Sequence, residues 1–434
     1  MNNLNDKIIY DAVIVGGGCA GLSAAVTLYD QGVKNIVILE SSATLGGILN
    51  QCIHNGFGLQ EFGEQLAGPE FAERFITKAK ERNINAKVNS CVLSINVTKE
   101  VLDGCVLKEV AYSNETDGYQ VVKAKTVIVT VGCLERSAGA IQVPGTRPQG
   151  VITAGTAQRY LNIDGYLVGK KVFILGSGDI GLIMARRMTL EGAQVLGVAE
   201  LMPYSNGLNR NMVQCLYDFN IPLYLSHTVS KVYGTDRLTG IDISEVDSHM
   251  QAIPGTEKHY DVDTLLLSVG LMPINTLFAG AGAEFNPATK ASKVNEHCET
   301  SLPGVFAAGN GLHVHDLVDY VTAEARLAAH GAVQYLNGKL TEEGPVIVSK
   351  ACDGIGYVLP QIIRYNNIED NVIIKFRAKK PAKNCKVIIA VDGNDVKTIK
   401  KISLIPSEME MVTLPKEFFT KDSQELTVRV EMEA

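Results

Sequence analysis

The chain has 434 residues, more than one ordinary domain holds, so two or three domains are expected. A net charge of −7 and a pI of about 5.7 speak against nucleic acid as a main partner, because phosphate backbones select clustered Lys and Arg. With 46% hydrophobic and 20% charged residues each domain can bury a core, no apolar run reaches the length of a membrane span, and nine scattered cysteines without a C-x-x-C pair exclude a disulfide framework or zinc cluster as the expected organising element.

The start, MNNLNDKIIYD, is too polar for a secretory signal, and a reducing cytoplasm is the expected setting. The first patterned stretch, VIVGGGCAGLSAA (13–25), sets Gly16-x-Gly18-x-x-Gly21 between a buried-strand run and a helix-like run. That spacing suits a dinucleotide pyrophosphate. The first glycine makes the tight turn, the second admits close backbone approach, and the third lets helix and strand pack, with the helix N-terminus facing the anion. NIVILE ends in Glu40, 24 residues past Gly16, where a strand-end carboxylate would accept ribose hydroxyls.

GGILNQCIHNGFG (46–58) follows, with Cys52 and His54 two apart. It can be read as a redox thiol beside a cofactor, a metal pair, or a buried small side chain. If both residues lie on one helix they point about 200° apart and make a poor metal pair. Then LAGPEFAERFITKAKERNI (66–84) resembles a helix of the thioredoxin reductases, and VKAKTVIVTVG (122–132) reads as a strand running into Gly132.

The glycine pattern returns in VFILGSGDIGLIMA (172–185) as Gly176-x-Gly178-x-x-Gly181, and QVLGVAE ends in Glu200, again 24 residues past the first glycine. A carboxylate there would repel the 2′-phosphate of NADP, so NAD is expected at this second copy. TSLPGVFAAGN (300–310) ends a further strand at Gly309-Asn310. His313 and His315 follow, two apart, with no third metal ligand evident nearby; a polar contact near a cofactor or partner, or a plain loop role, are the other readings. VTAEARLAAHGAVQYLNGKL (321–340) is helix-like. Beyond it, short β-branched segments end in ELTVRVEM, where Leu426, Val428, Val430 and Met432 alternate. Residues 345–434 therefore read as a small antiparallel, sandwich-like β domain, serving stability or dimerisation, or docking a partner. Cys352 at its entrance reads as buried or incidental.

These segments, in this order, resemble the two-dinucleotide-binding-domain flavoproteins that include glutathione and thioredoxin reductases, over about residues 8–338. The resemblance implies an α/β fold with two Rossmann-like, three-layer ββα domains, the NAD domain inserted in the FAD domain. The FAD domain would span 1–135 and resume over 276–340, with the NAD domain at 136–275 and the β domain at 345–434. The resemblance implies FAD on Gly16, Gly18, Cys19, Ala20, Gly21, Glu40, Ser41, Gly46, Gly47, Val92, Gly132, Gly309, Asn310 and Val321. It implies NAD on Gly176, Gly178, Asp179, Ile180, Gly181, Glu200 and Gly270. Asn310 stands where the family usually has Asp, so it adds no negative charge near the FAD pyrophosphate.

Neither dithiol arrangement of the reductases is present, and Cys52 alone occupies the glutathione-reductase region. CLERSAGAIQVPGTRPQGVITAGTAQRYLN (133–162) instead resembles the flavin subunits of opine, proline and hydrogen cyanide synthase type dehydrogenases. MPYSNGLNRNMVQCL resembles FAD-dependent oxidoreductases associated with anaerobic-type glycerol-3-phosphate dehydrogenases. The implied activity is hydride transfer between NADH and bound FAD, with a dehydrogenase partner subunit or a homodimer. A stand-alone NADH oxidase or diaphorase, a single-cysteine disulfide or peroxide reductase acting through Cys52, and a nucleotide-binding or NADH-sensing subunit without turnover are the alternatives.

Overall fold

The computed structural model describes residues 8–432; the polar start read against a secretory signal lies, for residues 1–7, outside them. The chain forms two compact units. One runs to Cys133 and resumes at Pro273; the other is Leu134–Met272.

In the first unit the apolar run at the N-terminus becomes β1 (Ile9–Val15), followed by α1 (Cys19–Asp30) and β2 (Ile36–Leu39). Next come α2 (Gly68–Glu81), β3 (Asn85–Lys87), and a meander of β4 (Cys91–Leu102), β5 (Cys105–Asn114) and β6 (Gly118–Val129). The sheet order is β3-β2-β1-β6-β5-β4, parallel up to β6 and antiparallel beyond it. Burial on both faces explains why β1 and β2 read as continuous apolar runs rather than alternating ones. The registers Val15↔Leu39 and Val15↔Val129 bring three strand ends level, so Gly16, Glu40 and Thr130 share one edge.

The second unit is built on the same plan. The strands β7 (Val151–Thr153), β8 (Lys171–Leu175), β9 (Gln194–Glu200), β10 (Leu223–Leu225) and, later in the chain, Thr264–Leu267 form a parallel sheet. Its helices are α3 (Ala154–Asn162), α4 (Asp179–Leu190) and α5 (Asn209–Cys215). Three antiparallel strands, β11 (His227–Tyr233), β12 (Gly240–Glu245) and β13 (Lys258–Tyr260), supply the third layer. Alternate residues of β8 serve different cores: Val172 and Ile174 join the helices, while Phe173 and Leu175 join the antiparallel layer. Thr264–Leu267 is β14. The registers Leu175↔Ala199 and Leu175↔Leu267 again line up three strand ends.

The chain re-enters the first unit, where α6 (Thr276–Ala281) precedes β15 (Val305–Ala307), which adds to β6 with Ala307 opposite Val129. Then comes α7 (Val318–Leu336). The remaining strands are β16 (Val346–Ala351), β17 (Ile355–Leu359), β18 (Ile362–Arg364), β19 (Asn371–Ala378), β20 (Ala382–Val391), β21 (Asn394–Leu404), β22 (Glu410–Pro415) and β23 (Glu425–Met432). They make two sheets, β18-β16-β23-β20-β21 and β17-β19-β22, around one apolar core. The expectation of an antiparallel domain needs correction, because β16 and β23 run parallel over Val348–Ala351. Alternation in sequence tells which face a strand buries, not which neighbour it takes or in which direction.

Candidate cofactor sites

The first glycine turn follows β1. Gly16 has φ +103°, and a Cβ there would lie 2.6 Å from Thr130 O, so only glycine fits. Helix α1 begins at Cys19 with Gly18 as N-cap; no side chain caps it and no acid lies in its first turn. Gly47 faces the same spot: a Cβ on it would be 3.0 Å from Gly18 Cα, and Gly46 pairs with Gly18. A helix N-terminus lined by bare backbone satisfies what a pyrophosphate needs, N–H donors and a positive dipole end without steric bulk. At the neighbouring strand end Glu40 Oε2 accepts Gly17 N at 2.6 Å and Oε1 accepts Ser42 N at 2.7 Å, with Ser41 Oγ at 3.4 Å. Lone pairs remain for a ribose hydroxyl. The residues therefore fit a dinucleotide.

The other residues assigned to this turn from the sequence gather around it. Gly21 lies against Gly16 O. Ser90 N donates to Glu40 O, which brings the start of β4, including half-buried Val92, beside the acid. Ala20, Gly309 and Val321 converge, since a Cβ on Gly309 would lie 3.1 Å from Ala20 Cβ and 3.3 Å from Val321 Cγ1. Gly132 approaches Gly311, and Asn310 Oδ1 accepts His315 N at 3.0 Å. Burial pushes the Cys19 thiol far up, and the charges of Cys52 and Glu61 push the same way.

The second turn follows β8. Gly176 (φ +97°) presses on Ser268 O, Gly178 caps α4 without a side-chain bond, and Gly181 N donates to Ser268 Oγ at 3.1 Å. Glu200 Oε2 accepts Ser177 N at 2.9 Å and Ser177 Oγ at 2.6 Å, and Oε1 accepts Met202 N at 2.9 Å. Asp179 opens α4 with its Oδ1 accepting Leu208 N and Asn211 Nδ2, which ties the 205–211 segment to the turn; Asn206 N also donates to Ser177 Oγ. Half-buried Ile180 packs into the helical core, and Gly270, at φ +100°, follows β14. Ser177 carries no sequence signal beyond its place between two glycines.

Cys52 and His54 do not share a helix, so the helical geometry weighed for the pair does not apply. A 3-10 turn covers only Gly47–Gln51, Cys52 is its C-cap, and Asn55–Phe57 is already a short strand. Cys52 N donates to Leu49 O, and Cys52 O accepts Gly68 N at 2.8 Å, locking the cysteine backbone against the start of α2. Burial raises the Cys52 thiol to about 12, so little thiolate exists near neutral pH. The loop that follows is held by Asp319 at the start of α7. Its Oδ2 accepts Gly58 N at 3.0 Å, and its Oδ1 accepts Gln60 N at 3.0 Å and Glu61 N at 2.9 Å. Glu61 in turn takes Thr322 Oγ1 and Arg326 Nη1. The helix-like stretch read from the sequence starts at Val321, so Asp319, two residues before it, carries only the signal of an acid near a helix start.

His313 and His315 do meet a third group, which sequence spacing misses. Glu324, on α7, places Oε2 2.8 Å from His313 Nε2, 3.4 Å from His315 Nε2 and 2.5 Å from Lys375 Nζ on β19, while its Oε1 accepts Gly309 N at 2.8 Å. All four side chains are buried. Burial lowers the His313 imidazole to about 3, so it is neutral. Burial alone would raise Glu324, but Lys375, His313 and His315 together hold its carboxyl well below the usual carboxylate range. An ionised carboxylate only accepts, so His313 donates from Nε2, and its Nδ1 is left to take the Tyr357 hydroxyl at 3.3 Å.

Two acid-braced glycine turns, each at the carboxyl edge of a parallel sheet, define the class: oxidoreductases that pair FAD with a pyridine nucleotide. The chain belongs to the pyridine nucleotide-disulphide oxidoreductase family, whose model matches residues 10–330 and whose members use FAD and NAD(P)H. It is similar to an NADH dehydrogenase of Bacillus subtilis, 27% identical over 76% of this chain and 59% of the relative. It is also similar to an opine oxidase subunit of Agrobacterium tumefaciens, 25% identical over 75% of this chain and 65% of the relative. The chain thus spans about three fifths of the length of these curated relatives. Among solved structures, thioredoxin reductase of T. acidophilum is 26% identical with a TM-score of 0.61, over 76% of this chain and 99% of that one. Among the described residues no helix is long and apolar enough to cross a membrane.

Proposed function

We propose that the chain moves hydride between NADH, held on the second glycine turn, and FAD, held on the first, as the electron-transfer component of a hetero-oligomeric dehydrogenase of the glycerol-3-phosphate type. The observation that carries the nucleotide reading is the repeated acid brace: Glu40 on Gly17 and Glu200 on Ser177, each spanning 23 residues. FAD when bound supplies a hydride acceptor that can pass electrons on. The protein itself binds and orients. Gly16, Gly18 and Gly47 leave room for the pyrophosphate in front of α1, and Glu40 offers acceptors to the ribose. At the second turn Gly178 and α4 do the same, and Glu200 turns away a 2′-phosphate by charge. The role within a larger dehydrogenase is supported by the resemblance of residues 133–162 to such flavin subunits and by the likeness to the opine oxidase subunit.

Mixing the FAD-loaded protein with NADH under anaerobic conditions should bleach the flavin's visible absorption, with NADPH much slower; no bleaching with either nucleotide refutes the enzyme reading. Co-purification of a glycerol-3-phosphate dehydrogenase subunit supports the finer assignment. A second reading, a stand-alone NADH oxidase or diaphorase, draws on the names of two relatives, an NADH dehydrogenase and an NADH oxidase. Full turnover with oxygen or a dye by the isolated chain, and no partner in pull-downs, would select it.

A further inference from the structure

The family model ends at residue 330, so the strands from Val346 onward lie outside it. Yet they grip the segment that carries Gly309 and Asn310. We propose that this C-terminal module is a working element of the first cofactor site, with Lys375 as the positioning residue that sets the Gly309–Asn310 turn. The inference rests on the reading that the first glycine turn binds FAD.

The connection is short and fully buried. Lys375 Nζ lies 2.5 Å from Glu324 Oε2, and Glu324 Oε1 holds Gly309 N at 2.8 Å. Gly309 sits at φ +73° with Ala20 and Val321 against it, so its orientation is coupled to the N-terminus of α1. The same loop is held at a second point. Arg377, two residues along β19, donates to Val314 O at 2.9 Å and pairs with Asp316, which also takes Met409 N at 2.6 Å. The Tyr357 hydroxyl accepts from Arg377 Nε at 3.1 Å and reaches His313. A lone buried carboxylate would take up a proton or shift to find a partner. With Lys375 opposite it, Glu324 stays a charged acceptor at a fixed place, and Gly309 N stays fixed with it. His313, His315 and Glu324 lie close enough to hold a metal ion, but the carboxylate such an ion would need is already matched by the Lys375 ammonium. The cluster is therefore assigned as a built-in ion pair rather than a metal centre.

The test titrates FAD into apo-protein for the wild type, Lys375→Met, Lys375→Arg and Glu324→Gln/Lys375→Met, and records Kd, the visible band of the saturated flavin, and the apo-protein melting temperature. Lys375→Met should raise the Kd for FAD by about tenfold, and should alter the band even at saturation, which a mere loss of stability does not do. Lys375→Arg should recover most of the affinity, and the double variant should bind better than Lys375→Met because no uncompensated carboxylate remains. Wild-type Kd and band in Lys375→Met overturn the inference and leave the FAD reading intact; a wild-type chain that binds no FAD overturns the FAD reading itself. If Lys375→Met does not fold, Tyr357→Phe carries the test: a smaller rise in Kd supports the inference, and an unchanged Kd and band overturn it.

Discussion

Glu200 grips Ser177 twice, through the backbone N at 2.9 Å and the hydroxyl at 2.6 Å, where Glu40 grips Gly17 once. The hydroxyl fixes the carboxylate that would meet the nicotinamide nucleotide's ribose. Ser177→Ala should loosen it by about 1 kcal/mol, which is roughly a fivefold rise in KM for NADH, with kcat changed by less than about twofold. Stopped-flow flavin reduction over a series of NADH concentrations separates the two; an unaltered KM sinks the idea.

Glu200→Gln keeps the shape of the acid and removes its charge. Preference for NADH over NADPH should then fall by about tenfold, mainly because NADPH is no longer repelled. The ratio of kcat/KM for the two nucleotides measures it, and a ratio equal to that of the wild type refutes the role.

Cys52→Ser addresses the lone thiol. With the thiol raised to about 12 by burial, almost no thiolate is present to attack a disulfide. Flavin reduction by NADH and turnover with a partner should stay within about twofold of wild type, a margin of roughly 0.4 kcal/mol. Loss of either would restore Cys52 as a redox group.

Asp319→Ala removes an acceptor shared by Gly58, Gln60 and Glu61. Bonds to a charged acceptor are each worth about 1.5–3 kcal/mol, and water replaces some of the loss at exposed positions, so a destabilisation of about 2–4 kcal/mol is expected. Urea unfolding gives the magnitude, and limited proteolysis should show new cleavage in the 58–65 loop. A loop equally resistant in the variant would show that other contacts hold it.

Lys108 is fully buried and donates to Val106 O and Lys125 O at 2.8 Å. Burial lowers it to about 7 from an ordinary value of 10.5. Between these values the unfolded chain binds the extra proton, so stability should rise as pH climbs through this window and show no gain from this group below it. Lys108→Met should flatten that rise. Melting temperatures of both proteins across this pH range decide, and parallel curves would assign the pH dependence to other groups.

What can be read from sequence and what cannot divides along physical lines. Gly16, Gly18 and Gly21 are legible because steric exclusion at a strand-turn-helix junction dictates their spacing, and Glu40 and Glu200 because the strand length fixes where an acid must stand. Whether Cys52 and His54 share a helix stays open in the sequence because a turn of five residues, Gly47–Gln51, carries no periodicity that distinguishes it from the start of a helix. Glu324 is invisible as a partner of His313 because one lies on a loop and the other on α7, and Lys375 lies 51 residues further on. The alternating strands after residue 345 announce their buried faces, but the parallel β16–β23 pair depends on long-range pairing.

That pair has a kinetic consequence. β23 is the central strand of its sheet, joining β16, through Val348↔Glu425, to β20, through Ile388↔Arg429. The flanking pairs β16–β18 and β20–β21 form between near neighbours in the chain, but β23 must arrive to join them, and loop-closure entropy makes such a step a late one. Lys375 reaches Glu324 from this module. Refolding should therefore restore the Rossmann-like helices first and the capacity to hold flavin in a separate, slower phase.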